Sequence, residues 1–478
     1  MIYHGIIFTN NELPFKASGA YSIATQLREH GYRAKVVEHF IYLDKNYREQ
    51  FRKYIFNIIG KETIFIGVST TFLYDIHDAY LFLTEIKKEF PHIKIISGGP
   101  REGRRGPITG IDDWDDAIDH HIIGFGDTAI ISLLNDLKEG KKVEKLYEYD
   151  SLGKLFDFRN SKPIFSKEDD IIFANEVLPI EISRGCIFKC SFCNFPLLGI
   201  PKNDNKYIRC KESIKNELIY NYENFNTTNY AITDDTFNST TSKVKLLKEI
   251  VEEINIPFNF IAYLRIDLIH AFPEQIDLLK DMGLKGAFFG IESLHDPSAK
   301  AVGKGFGKEK TIEMLHLLKE KWGKYVMIHG NFILGLPHES PQTFKKWANL
   351  ILKPDFPLDS INIGSLEIYD TGPAQQSEFL RNSKKYGYTI TGPATWKSIH
   401  PIKSSEMADV LLYYVVKPIM HKRYKNTMYG RTRFWNKWCS QNYGYTWKEL
   451  VDNFPSINTI KKAETKFKDS YAHKLLNL

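Results

Sequence analysis

Cys186-Ile187-Phe188-Lys189-Cys190-Ser191-Phe192-Cys193 places three of the chain's five cysteines in one short run. The C-x-x-x-C-x-x-C spacing lets three thiolates reach one small inorganic centre. A cubane 4Fe-4S cluster ordinarily takes four cysteines, and the next one, Cys210, lies well downstream. Three close ligands leave one iron open to a substrate or cofactor, so the run reads as catalytic rather than as an electron relay. A zinc site would want four ligands, usually in paired C-x-x-C steps, and the first gap here is a residue too long. An odd number of cysteines without a secretory leader argues against a disulfide framework and for a reducing compartment.

Working outward, the stretch 179–183 reads as a strand that delivers the cysteine loop. Five more apolar runs follow at 229–233, 258–263, 286–292, 325–334 and 360–367, separated by helical periods such as 242–254 and 273–282. Six successive βα units predict a partial barrel over 178–375, with its active site at the C-terminal strand ends. The cysteine loop falls on that rim.

Residues 1–140 show a second strand–helix alternation, with strands expected at 2–8, 34–39, 63–69, 93–97 and 121–124. This predicts a parallel sheet with helices on both faces, a Rossmann-like domain. Ser69 and Thr70, Gly98 and Gly99, and Gly124 and Gly126 stand at or just past strand ends, where open α/β sheets bind ligands. Residues 141–177 are polar and read as a connector. Residues 376–478 read as a helical extension without strands, and 369–396 as part of a pocket wall. From 421 onward there are twelve Lys/Arg against four Asp/Glu, interleaved with tyrosine and tryptophan. That mixture suits a small helical cap with a solvated basic face, or a surface for single-stranded nucleic acid.

Composition adds bounds. The length of 478 residues predicts two or three domains, and 43% hydrophobic content is ample for their cores. A net charge of +6 permits an anionic partner without demanding one. No apolar run is long enough for a membrane span, and the start of the chain reads as a strand rather than a leader. A cytoplasmic protein is the expectation.

The motifs resemble those of the radical S-adenosylmethionine (SAM) enzymes. The likeness covers roughly 180–370: Arg184-Gly185-Cys186 through Phe192-Cys193, then Thr233-Asp234-Asp235-Thr236-Phe237, Arg265, Gly290-Ile291-Glu292-Ser293 with Lys304, and Gly335-Leu336-Pro337. Residues 1–140 look like the cobalamin-binding domain of one subclass. The resemblance implies one 4Fe-4S cluster on Cys186, Cys190 and Cys193, with SAM on the open iron. Phe192, Asp234, Asp235, Arg265, Glu292 and Ser293 are the implied contacts to SAM, Asp235 favoured over Asp234 by motif position. The loops at Ser69–Thr70, Gly98–Gly99 and Gly124–Gly126 are those that would hold cobalamin. The D-x-H-x-x-G motif that supplies a cobalt ligand in many cobalamin proteins is missing, and Asp75-Ile76-His77 is the nearest approach. Such domains either hold cobalamin without a histidine or keep the fold without it, and both readings stand at this point.

Enzymes of this kind form a 5′-deoxyadenosyl radical with an electron from a flavodoxin or ferredoxin. Three outcomes then lie open: cobalamin-dependent methylation of a carbon, a rearrangement, cyclisation or oxidation without cobalamin, or a nucleic-acid-binding iron–sulfur protein without catalysis. Sulfur insertion uses a second cluster, for which only Cys210 and Cys439 remain. The sequence carries no code for the substrate, and a nucleotide or nucleic acid is compatible with the basic tail.

Overall fold

The computed structural model describes residues 1–10, 16–70, 73, 75–99, 114–150, 153–162, 165–194, 207–304, 306–369, 376–392, 394–418, 452 and 457–478. Its first sheet holds β1 (Gly5–Thr9), β2 (Ala34–Glu38), β3 (Phe65–Ser69), β4 (Lys94–Gly98), β5 (His120–Ile122) and β6 (Leu146–Tyr147). They run parallel in the order β2-β1-β3-β4-β5-β6. Apolar residues crowd both faces because helices cover both. β6 lies in the stretch read as a connector. A strand of two residues has no period to betray it, and only its pairing with His121 and Ile122 reveals it.

The second sheet holds β7 (Leu178–Ile180), β8 (Asn229–Ile232), β9 (Asn259–Leu264), β10 (Leu284–Glu292), β11 (Met327–Leu334) and β12 (Ser360–Ser365). Each pairs in parallel with the next, and β7 and β12 are the two edges, so the barrel is open. Alternation sorts its residues. Phe289 stacks on Trp322 and Phe332 on Trp347, both tryptophans belonging to outer helices. Phe288, His329 and Asn331 therefore take the concave face.

A hairpin, β13 (Tyr388–Gly392) and β14 (Thr395–Ser398), stands where only helices were expected. It does not wall a pocket with its aromatic rings. Trp396 is fully buried and donates from Nε1 to the Leu366 carbonyl at 2.8 Å, and the Tyr388 hydroxyl donates to the Gly335 carbonyl at 2.9 Å. The hairpin thus seals the barrel at the β11–β12 edge. Most of the basic, aromatic stretch after 418 lies outside the described residues.

The last helix, Ile457–Leu476, returns to the first domain. The Tyr42 and Tyr47 hydroxyls donate to Asp469 at 2.6 and 2.8 Å, and the Glu38 amide donates to the Tyr471 hydroxyl at 3.0 Å. Beneath them Lys16 is buried between Glu38 at 2.7 Å and Glu176 at 3.1 Å, so its charge is compensated from two elements. No described helix is long and apolar enough to cross a membrane.

Asp469→Ala strands two tyrosine hydroxyls and is expected to cost about 1–3 kcal/mol, seen as a lower urea midpoint. Lys462→Ala, on the exposed side of the same helix, is expected to shift stability by less than about 0.5 kcal/mol.

Candidate cluster and cofactor site

The chain leaves β7 through a buried knot. Asp234, just past β8, accepts from the Ile182 and Ser183 amides at 2.8 and 3.0 Å and from the Ser183 hydroxyl at 2.6 Å. Lys243, in the first turn of the helix Thr241–Ile254, pairs with the same carboxylate at 2.9 Å and also donates to the Ser183 hydroxyl and the Thr236 carbonyl. Asp234 and Lys243 are both buried. Asp234 was expected among the ligand contacts. Its carboxylate instead meets four donors inside the protein, so its role here is that of an anchor for the cysteine loop. Asp235, also past the end of β8, is exposed where Asp234 is buried. Its side chain reaches solvent at the barrel mouth but is enclosed by protein walls. That enclosure, with the charges of Asp234 and Glu181, pushes it up to about 7.

From Ser183 the loop turns through Gly185, whose φ of +81° favours glycine, into Cys186. Cys186, Cys190 and Cys193 form no disulfide. The Cys186 sulfur lies 3.4 Å from the Thr236 hydroxyl, and Arg265 donates from Nη1 to the Cys190 sulfur at 3.2 Å. Burial holds the Cys186 thiol above its ordinary value, a proton that metal binding would displace. Phe192 is half-buried and packs on the main core. Among the described residues no three His, Cys, Asp or Glu side chains converge on a single-ion site. A cubane asks for something wider, with each thiolate on its own iron. Three cysteines outside any disulfide on one short loop, one of them already receiving a guanidinium hydrogen bond, fit that donor set.

Arg265 follows β9. It grips Asp267 through Nε and Nη2 at 3.0 and 2.6 Å and lies over the Phe188 ring at 4.2 Å. The fork expected to meet a carboxylate of SAM is engaged by Asp267, and the remaining nitrogen faces the cysteine loop. Glu292 is a non-glycine residue at φ +65°, which marks strain at the end of β10. It is buried, stands 3.5 Å from Lys304, and is raised by burial. Ser293 donates to Glu339 at 3.2 Å. Glu339 escaped the sequence reading. It is fully buried and also accepts from the Trp347 indole and the Gly335 amide, both at 3.1 Å. Burial pushes it up to about 7 against those donors. Its one sequence signal is its place after Gly335-Leu336-Pro337.

A cavity of about 360 Å³ opens at the C-terminal ends of the first sheet. Gly67, Val68 and Ser69 of β3 and Ile96, Ser97 and Gly98 of β4 line it, with Gly99, Gly124 and Gly126 beyond the strand ends. Of the loop residues named from the sequence only Thr70 is absent; its amide and hydroxyl bond the Gly98 carbonyl instead. A Cβ at Gly98 would meet only the Ile122 Cβ at 3.9 Å, so this glycine leaves room rather than relieving a clash. His77 is exposed in the first turn of the helix Ile76–Glu89 and takes no part in the lining. The lining is mostly apolar, and no histidine stands among its described residues to ligate a metal.

The far wall belongs to the barrel: Glu181, Arg184 and Thr233. Arg184 binds Glu181 through a bidentate fork, both bonds at 2.9 Å, and Asp127 of the first domain at 2.7 Å. Its guanidinium lies among Phe125, Phe156 and Phe158 at 4.7 to 5.2 Å. One side chain thus joins the cavity wall to the residue pair that opens the cysteine run.

Residues 180–351 match the model of the radical SAM superfamily. The chain thus carries a radical SAM domain over that segment. Its radical SAM domain holds the cysteine loop, and the superfamily's cofactors are a 4Fe-4S cluster and SAM. The chain is 24% identical over 310 residues to an uncharacterized methyltransferase of Pyrococcus horikoshii, covering 61% of this chain and 64% of that protein. It is 24% identical over 206 residues to the ribosomal protein uS12 methylthiotransferase RimO of Sulfurimonas denitrificans, covering 41% and 44%. The chain therefore spans less than two thirds of either relative. In fold it is similar to the radical SAM methyltransferase TsrM from Kitasatospora setae, solved with tryptophan substrate and a SAM analog. The TM-score is 0.59 at 15% identity, over 85% of this chain and 83% of that one. The cobalamin-dependent radical enzyme OxsB, solved with aqua-cobalamin and SAM, gives 0.55 at 15% identity over 99% and 72%. These likenesses show a fold of a partial parallel barrel joined to a Rossmann-like domain.

Asp234→Ala would leave Lys243 buried and unpaired, and a loss of about 3–5 kcal/mol is expected, measured by urea unfolding. Glu339 yields a pH effect of definite sign. Its folded value of about 7 exceeds the ordinary 4.5, so its contribution is fully present below about 4.5 and is lost as pH rises through 7. Urea midpoints at pH 5, 6, 7 and 8 are expected to fall more for the wild type than for Glu339→Gln.

Proposed function

We propose that this protein reductively cleaves SAM at a single 4Fe-4S cluster and methylates a carbon of its substrate with cobalamin held in the N-terminal cavity. The observation that carries this reading is the shared cavity. Its ligand would touch Arg184, two residues before the first cluster cysteine, and Thr233, two residues before Asp235. A cluster on these cysteines would supply, with a flavodoxin- or ferredoxin-type donor, the low-potential electron for cleaving SAM, and cobalamin in the cavity would supply the methyl group.

The chain's own residues hold and orient these groups. Cys186, Cys190 and Cys193 would ligate three irons. Arg265 holds the Cys190 sulfur through Nη1 and is itself held by Asp267. Asp235, open at the mouth, is the carboxylate placed to accept from the ammonium of SAM, and the half-buried Phe192 would cover the cluster. Glu292, kept near Lys304, closes the opposite side of the mouth. Sulfur insertion is disfavoured because residues 1–185 contain no cysteine to hold another cluster. A cytoplasmic site of action accords with free cysteines and an oxygen-sensitive centre.

The test is anaerobic. Protein reconstituted with iron and sulfide receives SAM, dithionite and hydroxocobalamin, and products are read by mass spectrometry. Both 5′-deoxyadenosine and S-adenosylhomocysteine are expected, and neither from Cys186→Ala. Gly98→Leu fills the cavity at a position with open space; it is expected to lose hydroxocobalamin binding and S-adenosylhomocysteine while keeping its melting temperature. Deoxyadenosine without S-adenosylhomocysteine from the wild type would replace methylation with a rearrangement, cyclisation or oxidation.

A further inference from the structure

The concave face of the barrel carries an ordered row of rings. Tyr263 of β9, Phe288 of β10, His329 of β11 and Ser360 of β12 are successive register partners across four strands. The Tyr263 and Phe288 rings are 5.1 Å apart and the Phe288 and His329 rings 5.0 Å apart, both tilted. The His329 Nδ1 lies 2.7 Å from the Ser360 hydroxyl, which fixes the plane of its ring. Phe288 is half-buried, yet Tyr263 keeps 45% of its surface exposed. An aromatic residue that only filled the barrel would be covered. This one presents a face.

The next layer toward the rim is Gly290, Asn331 and Asn362, again register partners. Gly290 has no side chain of its own, and the Glu292 carboxylate and Lys304 ammonium stand over it; beside this pair the two asparagines bring neutral amides, Asn331 with its Oδ1 3.3 Å from the His329 Nε2 and Asn362 exposed. Arg265 stands two residues beyond Tyr263 on the same strand face and touches Cys190. The row therefore lies one pleat, ~7 Å at the usual rise, beneath the cysteine loop. Aromatic faces attract other flat rings edge-on or offset, and amides match the mixed donor and acceptor edge of a heteroaromatic ring.

We propose that Tyr263, Phe288 and His329 form a stacking shelf for a flat heteroaromatic part of the substrate, with Asn331 and Asn362 reading its edge. The proposal rests on the preceding reading in one respect, that substrate enters the barrel beneath the cluster. The same chemistry occurs in the adenine of SAM, so the test separates the two sources.

Cluster-loaded protein is titrated with adenine, nicotinamide and indole, and with the saturated piperidine-3-carboxamide and cyclohexanecarboxamide, by ligand-observed NMR, with and without SAM. The flat rings are expected to bind with SAM present and the saturated ones not. Tyr263→Leu, which keeps bulk but loses the ring, is expected to weaken flat-ring binding by about fivefold or more. Tyr263→Trp is expected to retain it, and the SAM dissociation constant should not move in either variant. Equal binding of flat and saturated rings, or undiminished flat-ring binding in Tyr263→Leu, would overturn the shelf. Weaker SAM binding in Tyr263→Leu would assign the shelf to adenine and overturn it as a substrate site. Failure of SAM to bind the loaded wild type would strike the functional reading instead, and the fragment preference measured without SAM would still decide the shelf.

Discussion

The Asp234 carboxylate and the Lys243 ammonium, both buried, fix where the cysteine loop leaves the sheet. A charge pair removed from water is stabilising only when its remaining hydrogen bonds are satisfied. Here the two backbone amides and the hydroxyl that satisfy the carboxylate belong to Ile182 and Ser183. The electrostatic demand of one strand end is therefore met by the main chain of its neighbour. Everything beyond Ser183 inherits its starting position from this arrangement, including Arg184, the Gly185 turn and the three cysteines.

A second constraint joins the domains. Arg184 has five donors in a rigid fork, and it shares them between Glu181 of the barrel and Asp127 of the Rossmann-like domain. Asp127 in turn accepts from Ser22 at 2.5 Å. Three aromatic rings screen the guanidinium from water, which strengthens each of these bonds. The wall between the N-terminal cavity and the cysteine loop is thus one charged network rather than a loose contact. The final helix closes the opposite side of the first domain through Asp469 and Tyr471, so the Rossmann-like sheet is held at both ends by later parts of the chain.

Much of this was legible in the residues. All six barrel strands fall within a few residues of their expected positions, because apolar runs bounded by helical periods mark where each strand begins and ends. The glycines at 98, 99, 124 and 126 mark the cavity, since a parallel sheet opens at its C-terminal edge whatever its side chains. Other features were hidden. β6 is too short to show a period. The hairpin at 388–398 depends on Trp396 finding the Leu366 carbonyl, a contact between residues distant in the chain. Glu339 looked like an ordinary polar residue after a turn until Ser293, Trp347 and Gly335 converged on it.

The roles of like residues divide along the same line. The sequence alone determined that three cysteines stand on the loop after a barrel strand, because ligand spacing and strand periodicity are local properties. It placed Asp234 and Asp235 together at the end of the next barrel strand for the same reason. Only the tertiary structure decided which of them is the anchor and which faces the mouth, since that depends on Lys243 and Ser183 arriving from other elements. It also decided that the fork of Arg265 is held by Asp267, and that Tyr263, Phe288 and His329 stand in one row. Register between strands is set by the packing of the whole sheet against its helices, and no local pattern contains it.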